Sequence, residues 1–146
     1  MGNAAAGVLG ASLAADEKCV AIVGDGSMLM QNEISTAVQY GAKTMWIVLN
    51  DAQYGMIEQG MRRGNLMPVE TQIPRVDFVA YARSLGADGV TVTDESAIEQ
   101  ALREGMACDR PFVIDVIIDR REAAPIANRI AGLESQGVGN TNNDTA

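Results

Sequence analysis

Apolar and polar positions alternate along this chain in two rhythms. Continuous apolar runs form one of them: Cys19-Val20-Ala21-Ile22-Val23, then Met45-Trp46-Ile47-Val48-Leu49, then Pro111 to Ile118 (PFVIDVII). Runs of this length, bounded by polar or glycine-containing stretches, predict strands buried on both faces of a parallel sheet. Gly89-Val90-Thr91-Val92 predicts a further strand. Between the runs, apolar residues recur at helical spacing. Ala4 to Ala15 predicts a small-residue helix that packs closely against a neighbour. A second helix is expected from about Ser27 to Tyr40, with Met30, Ile34, Ala37 and Val38 on one face and Gly41 suited to its C-terminal cap. Asp77 to Leu85 predicts a third, capped by Asp77 with Phe78, Tyr81, Ala82 and Leu85 facing inward, and Glu95 to Ala107 a fourth. Strand, helix and strand in succession build right-handed units with parallel strands. The predicted fold class is therefore α/β: three layers, αβα, a mostly parallel sheet with helices on both faces.

Two stretches break the rhythm. Gln53 to Pro74 contains Gly55, Gly60, Gly64 and Pro68 and predicts a short helix followed by a mobile loop, a kind of segment that often carries function. From Gly132 the chain turns small and polar (LESQGVGNTNNDTA follows that glycine), which predicts a disordered tail over 132–146 after a folded domain over 1–131.

Composition removes several function classes. The net charge of −8, from 11 basic and 19 acidic residues, argues against nucleic acid or an acidic membrane as partner. It also means that a bound phosphate needs a metal or main-chain amides rather than a lysine cluster. There is no histidine, which removes the commonest zinc ligand, the commonest general base and any Ser-His-Asp arrangement. Cys19 and Cys108 fit no metal or redox spacing and are expected to be reduced thiols. No apolar run approaches the roughly 20 residues that a membrane span needs. No basic-then-apolar signal segment opens the chain, so the expected location is the cytoplasm.

Candidate chemistry gathers at two strand ends, the edge where ligands bind in open parallel sheets. Gly24-Asp25-Gly26-Ser27 closes the first strand. Its glycines let the backbone turn sharply and approach a ligand, and the following helix offers free N–H groups to an anion. Asn50-Asp51-Ala52-Gln53 closes the neighbouring strand, about 5 Å away across the sheet. Asp25 and Asp51 are placed to share one hard cation, with a main-chain carbonyl and phosphate oxygens completing its shell, the usual way proteins hold Mg²⁺.

These two clusters in order, GDGS and then Asn50-Asp51 with 23 residues between Gly26 and Asn50, resemble the signature of thiamine diphosphate enzymes. The stretch MLMQNEISTAVQYGAKTMWIVLNDAQYGMI is similar to the acetolactate synthase and 2-oxo acid decarboxylase branch, and so is the opening Met1-Gly2 before an Ala/Gly-rich helix. The resemblance runs from Met1 to about Asp119. It implies thiamine diphosphate and Mg²⁺ as cofactors. It implies that Asp25, Asp51 and the carbonyl of Gln53 ligate the metal, and that Gly24, Gly26 and Ser27 line the diphosphate. Tyr54, Gly55, Met56 and Ile57 would line the same end of the cofactor, with Met1 as the apolar prop beneath thiamine. Asp51 departs from the asparagine commoner at this position and adds a negative charge beside the diphosphate. The resemblance further implies a partner: in this branch a glutamate on a separate pyrimidine-binding domain activates the cofactor, and this length has no room for that domain. The chain is thus expected to be a fragment or one subunit of a split enzyme, working in a homo- or hetero-oligomer on a small 2-oxo acid, with no catalytic residue of its own to name.

Two other functions fit parts of the sequence. One is a cofactor-holding or interaction domain without turnover. The other is a Rossmann-type dinucleotide site, for which Gly24-x-Gly26 follows a strand and Asp51 ends the next. That second pattern lacks its third glycine, since position 29 is Leu29. Plain structural roles account for Glu33 on the crossover helix, for Arg62 and Arg63 as a solvated pair, for Tyr54 and Trp46 as packing, and for most of the methionines as core or loop filler.

Overall fold

The computed structural model describes residues 1–30 and 33–122, together with 131, 132 and 135. The tail expected from Gly132 lies almost wholly outside the described residues. Four strands form one sheet: β1 (Cys19–Gly24), β2 (Thr44–Asn50), β3 (Asp88–Val92) and β4 (Phe112–Ile117). The helices are α1 (Asn3–Ala15), α2 (Asp25–Met28), α3 (Glu33–Gln39), α4 (Gly55–Arg63), α5 (Phe78–Ser84) and α6 (Ile98–Ala107), the last entered through a 3₁₀ turn at Glu95–Ala97. Every strand pair is parallel, in the order β1-β2-β4-β3, and Ile47 lies opposite Ile22 on one side and Ile114 on the other.

That order decides which face each helix covers. From β1 to β2 to β3 the chain moves one way across the sheet, then steps back to insert β4. Right-handed crossovers put the helices of the forward steps on one face and the helix of the return step on the other. The first face is packed accordingly by Val8 and Leu9 of α1, Ile34 and Ala37 of α3, and Phe78 and Ala82 of α5, all against Trp46, Val48 and Val113. Trp46 is wholly buried, and its indole N–H donates to the Ala5 carbonyl at 2.8 Å, so its one polar atom is satisfied inside the core. On the second face, Ala101 of α6 packs against Met45, Val92, Phe112 and Ile114. Asp77 caps α5 as the sequence predicts, accepting from the Ala80 N–H at 2.8 Å.

Two expectations need correction. β1 is buried on one face only: Val20 is 43% and Ile22 65% exposed. α6, the helix of that face, packs over β3 and β4 and leaves the β1 edge open. The single helix expected from Ser27 to Tyr40 is instead α2 and α3, with Gln31 and Asn32 outside the described residues. Ile34 and Ala37 are fully buried as predicted, while Met30 is 63% exposed and does not share their face.

Gly89 gives the sheet a sharp stability test. A Cβ there would stand 2.5 Å from the Val113 carbonyl oxygen on the paired strand, a backbone atom that cannot step aside. Gly89→Ala is expected to lower unfolding free energy by about 1–3 kcal/mol, the usual range for overpacking, read as a lower urea midpoint at unchanged slope.

Candidate functional site

The C-terminal ends of β1, β2 and β4 open into one cavity of about 630 Å³. Gly24, Asp25, Gly26 and Ser27 enter it from the end of β1. Leu49, Asp51, Gln53 and Tyr54 come from the end of β2, and Gly55, Met56, Ile57 and Gln59 from α4. Met1 closes one side, and Ile118, Asp119 and Glu122 line it from beyond β4. Every residue for which the sequence suggested a cofactor contact thus borders the same space. Met1 is brought there by a specific bond, since the Gly2 N–H donates to the Ser27 hydroxyl at 2.8 Å.

Asp25 is the hub. It is 4% exposed, and its carboxylate joins the two strand ends directly: Oδ1 accepts from the Gly26 N–H at 2.7 Å and Oδ2 from the Ala52 N–H at 2.8 Å. Burial pushes its pKa up and the neighbouring Asp51 pushes the same way, while the amides of Gly26, Ala52 and Gln53 pull it down. The Gly26 amide, which the sequence offered to an anion, is therefore spent on the aspartate. α2 is also a single turn of 4 residues, too short for much dipole. The end of α2 therefore offers an anion in this cavity little dipole and one amide fewer.

The second strand end is held from behind. Tyr54 N–H donates to the Thr71 carbonyl at 2.8 Å and Ile73 N–H to the Ala52 carbonyl at 3.1 Å, so Thr71–Ile73 pairs antiparallel with Ala52–Tyr54. Thr71 is tied in turn to Glu58 of α4 at 2.8 Å, and Glu58 accepts from Arg62. Between these bonds Ala52 sits at φ 55°, a left-handed conformation that costs a non-glycine residue about 1–2 kcal/mol. The Gln53 side chain donates to the Arg120 carbonyl at 3.2 Å, and the Gln53 carbonyl takes no part in the two bonds of the pairing.

Glycine is needed at two places in the wall. A Cβ on Gly26 would stand 2.8 Å from the Tyr54 ring, and one on Gly55 would stand 2.8 Å from Asp51 Oδ2. At the ends of β1 and β2 the side-chain oxygens lining the cavity include the carboxylates of Asp25 and Asp51, hard oxygens of the kind that suit Mg²⁺. Among the described residues no group of three or more His, Cys, Asp or Glu could hold a metal by side chains alone. A cation here would thus complete its shell from the main chain and from its ligand's own oxygens.

Several residues weighed in the sequence lie elsewhere. Glu33 opens α3 and does not line the cavity, and Arg62 pairs with Glu58 one turn away. Cys19 and Cys108 are free thiols. Leu49, Gln59, Ile118, Asp119 and Glu122 line the cavity unforeseen. The end of β4 could have been found by applying to it the strand-end rule used for β1 and β2. Gln59 carries a buried Oε1 with no hydrogen-bond partner. Asp119 is held at a pKa of about 2 by Arg121, whose guanidinium and main-chain N–H both bond it.

The family model for the thiamine pyrophosphate enzyme, C-terminal TPP binding domain, matches residues 1–116. The chain belongs to this family. Among its relatives is YdaP of Bacillus subtilis (strain 168), provisionally described as thiamine pyrophosphate-containing, at 37% identity over 86% of this chain and 22% of YdaP. The acetolactate synthase of the same organism is 34% identical over 88% of this chain and 23% of its own. A solved structure, the thiamine diphosphate-dependent 4-hydroxybenzoylformate decarboxylase of Rhodococcus jostii RHA1, superposes with a TM-score of 0.70 at 27% identity, covering 77% of this chain and 22% of that one. The chain spans between a fifth and a quarter of the length of these relatives. Membership of the thiamine pyrophosphate family supplants the dinucleotide-binding alternative and fits the parallel α/β sheet found here.

Proposed function

We propose that this domain holds thiamine diphosphate through Mg²⁺ and forms the diphosphate-binding half of an enzyme acting on 2-oxo acids, as in acetolactate synthesis or decarboxylation. The observation that carries the reading is the Asp25 carboxylate, buried between the ends of β1 and β2 and facing the same cavity as Asp51. Asp25, Asp51 and the Gln53 carbonyl would ligate the metal. Among the described residues the cavity lining has four carboxylates (Asp25, Asp51, Asp119 and Glu122) and no lysine or arginine. A diphosphate brought here would meet repulsion from these side chains, which a bound cation would offset. Ser27 accepts from Gly2 and keeps its own O–H to donate toward the diphosphate. Tyr54, Gly55, Met56, Ile57 and Met1 offer the apolar wall for the rest of the cofactor, which when bound supplies an electron sink for bond cleavage beside the 2-oxo carbonyl.

Because Asp25 must be ionised to ligate, its raised pKa sets a pH limit. Lowering the pH through that value protonates the carboxyl and removes the ligand. Mg²⁺ affinity is therefore expected to fall on acidification at a pH above the ordinary carboxylate range, at a limiting tenfold per pH unit per proton taken up. Titrating Mg²⁺ at a series of pH values checks this, and a flat profile down to the ordinary range contradicts it.

Catalysis asks for more than this chain's residues supply, and a pyrimidine-binding domain, on the same or another polypeptide, is the proposed partner. The test is pyruvate decarboxylation by the chain alone and after mixing with a pyrimidine-binding domain from an acetolactate synthase. Turnover only in the mixture supports the half-site reading. Turnover by the chain alone overturns it.

A further inference from the structure

One buried carboxylate has no part in the cavity. Asp115 lies in β4, 2% exposed, in register with Val48 on one side and Thr91 on the other. A charge there is costly, and an apolar residue of its size would avoid the expense. Its hydrogen bonds run toward the end of β2. Asp115 Oδ1 accepts from Asn50 Nδ2 at 2.9 Å, and the carboxylate also accepts from the Phe78 N–H at the start of α5.

Asn50 is fully buried and does not reach the cavity. Its amide is used at both ends. Nδ2 donates to Asp115 and to the Val76 carbonyl at 3.0 Å, and Oδ1 faces Arg75 Nη1 at 3.3 Å. The same Arg75 nitrogen donates to the Asn50 main-chain carbonyl at 3.0 Å, which also accepts from the Ile118 N–H at 3.2 Å. A carboxylate and a carbonyl only accept, so Asp115 together with Val76 fixes which end of the Asn50 amide carries the N–H₂ group. With that end set, Oδ1 must face Arg75, and Arg75 in turn fixes the carbonyl at the peptide leading into Asp51.

We propose that Asp115 is a positioning residue for the metal site, acting through Asn50 and Arg75 to set the orientation of Asp51, Ala52 and Gln53. This rests on the Mg²⁺–thiamine diphosphate reading only for its consequence in binding, since the positioning itself is a property of the free chain. The left-handed Ala52 supplies the need: a strained backbone persists only where its surroundings over-determine it. Ala52 is held directly by Asp25 and Ile73, and through the preceding residues by the Asn50–Asp115–Arg75 set.

Hydrogen exchange in the chain, together with Mg²⁺ titration in the presence of thiamine diphosphate, tests the proposal. In Asp115→Asn the amides of Ala52 and Gln53 are expected to exchange about tenfold faster, while those of Ile47 and Val48 in the same strand stay as they were. The Mg²⁺ needed for half-saturation is expected to rise about tenfold or more, the lower end of the effect of outer-shell changes. Adding Asn50→Ala to Asp115→Asn should cost no more than the sum's larger part, because both act through one bond. Arg75→Gln alters an exposed residue and serves where the buried variant folds poorly; it should reproduce the local exchange pattern. Uniformly faster exchange across β2, or unchanged exchange at Ala52 and Gln53, overturns the proposal. Absence of Mg²⁺-dependent cofactor binding in the unaltered chain counts against the function reading instead, and the exchange pattern still judges the positioning role.

Discussion

Asp25→Ala is expected to weaken Mg²⁺-dependent thiamine diphosphate binding by about 100-fold or more, or ~3 kcal/mol. The size follows from the two tasks of one carboxylate. It is the buried ligand of the proposed pair, and it bridges Gly26 and Ala52 through bonds of 2.7 and 2.8 Å. Charge-assisted bonds of this kind contribute about 1.5–3 kcal/mol each. Without them the two strand ends lose their direct link before any metal arrives. Stability should fall less than binding, because removing a buried charge beside Asp51 offsets part of the cost of two unpaired amides. Calorimetry for binding and urea unfolding for stability separate the two. Equal affinity in the variant and the parent would leave the metal assignment without support.

Gly26→Val should come next in size, by a different cause. Its Cβ would stand 2.8 Å from two carbons of the Tyr54 ring and 3.8 Å from the Met1 methyl, so the branched side chain displaces the ring and fills the floor of the cavity. Cofactor affinity is expected to drop about tenfold or more, ~1.4 kcal/mol, with a stability loss of about 1–3 kcal/mol from overpacking. Pairing it with Tyr54→Ala should recover much of the stability, since the clash goes. It should not recover affinity, because the valine still occupies the space proposed for the diphosphate. Recovery of both would mean that Gly26 matters only for packing.

The fold was open to reading from hydrophobic rhythm because its strands are continuous apolar runs and helices such as α5 and α6 bury residues at helical spacing. Rhythm says less about where cover is missing. Val20 and Ile22 read as buried, yet the helix that would cover them packs over β3 and β4. The residues around the two strand ends were legible because glycine, aspartate and a strand terminus each carry a local signal. What lay hidden depends on partners far along the chain. Asp115 sits 65 residues from Asn50 and inside an apolar run, where it passes for an ordinary strand position. The pairing of Thr71–Ile73 with Ala52–Tyr54 has no periodicity to announce it, and alanine at position 52 gives no hint of a left-handed backbone. Sequence patterns show which groups reach a sheet edge; they do not show what holds that edge in place.

The central claim is that the ends of β1 and β2 together form a metal-dependent diphosphate site. Its most direct measurement is a calorimetric titration of the chain with thiamine diphosphate, with Mg²⁺ and then with the metal chelated. Saturable one-to-one binding that vanishes on chelation is the predicted result. Binding of equal strength without metal, or none in either condition alongside an intact fold, would contradict it.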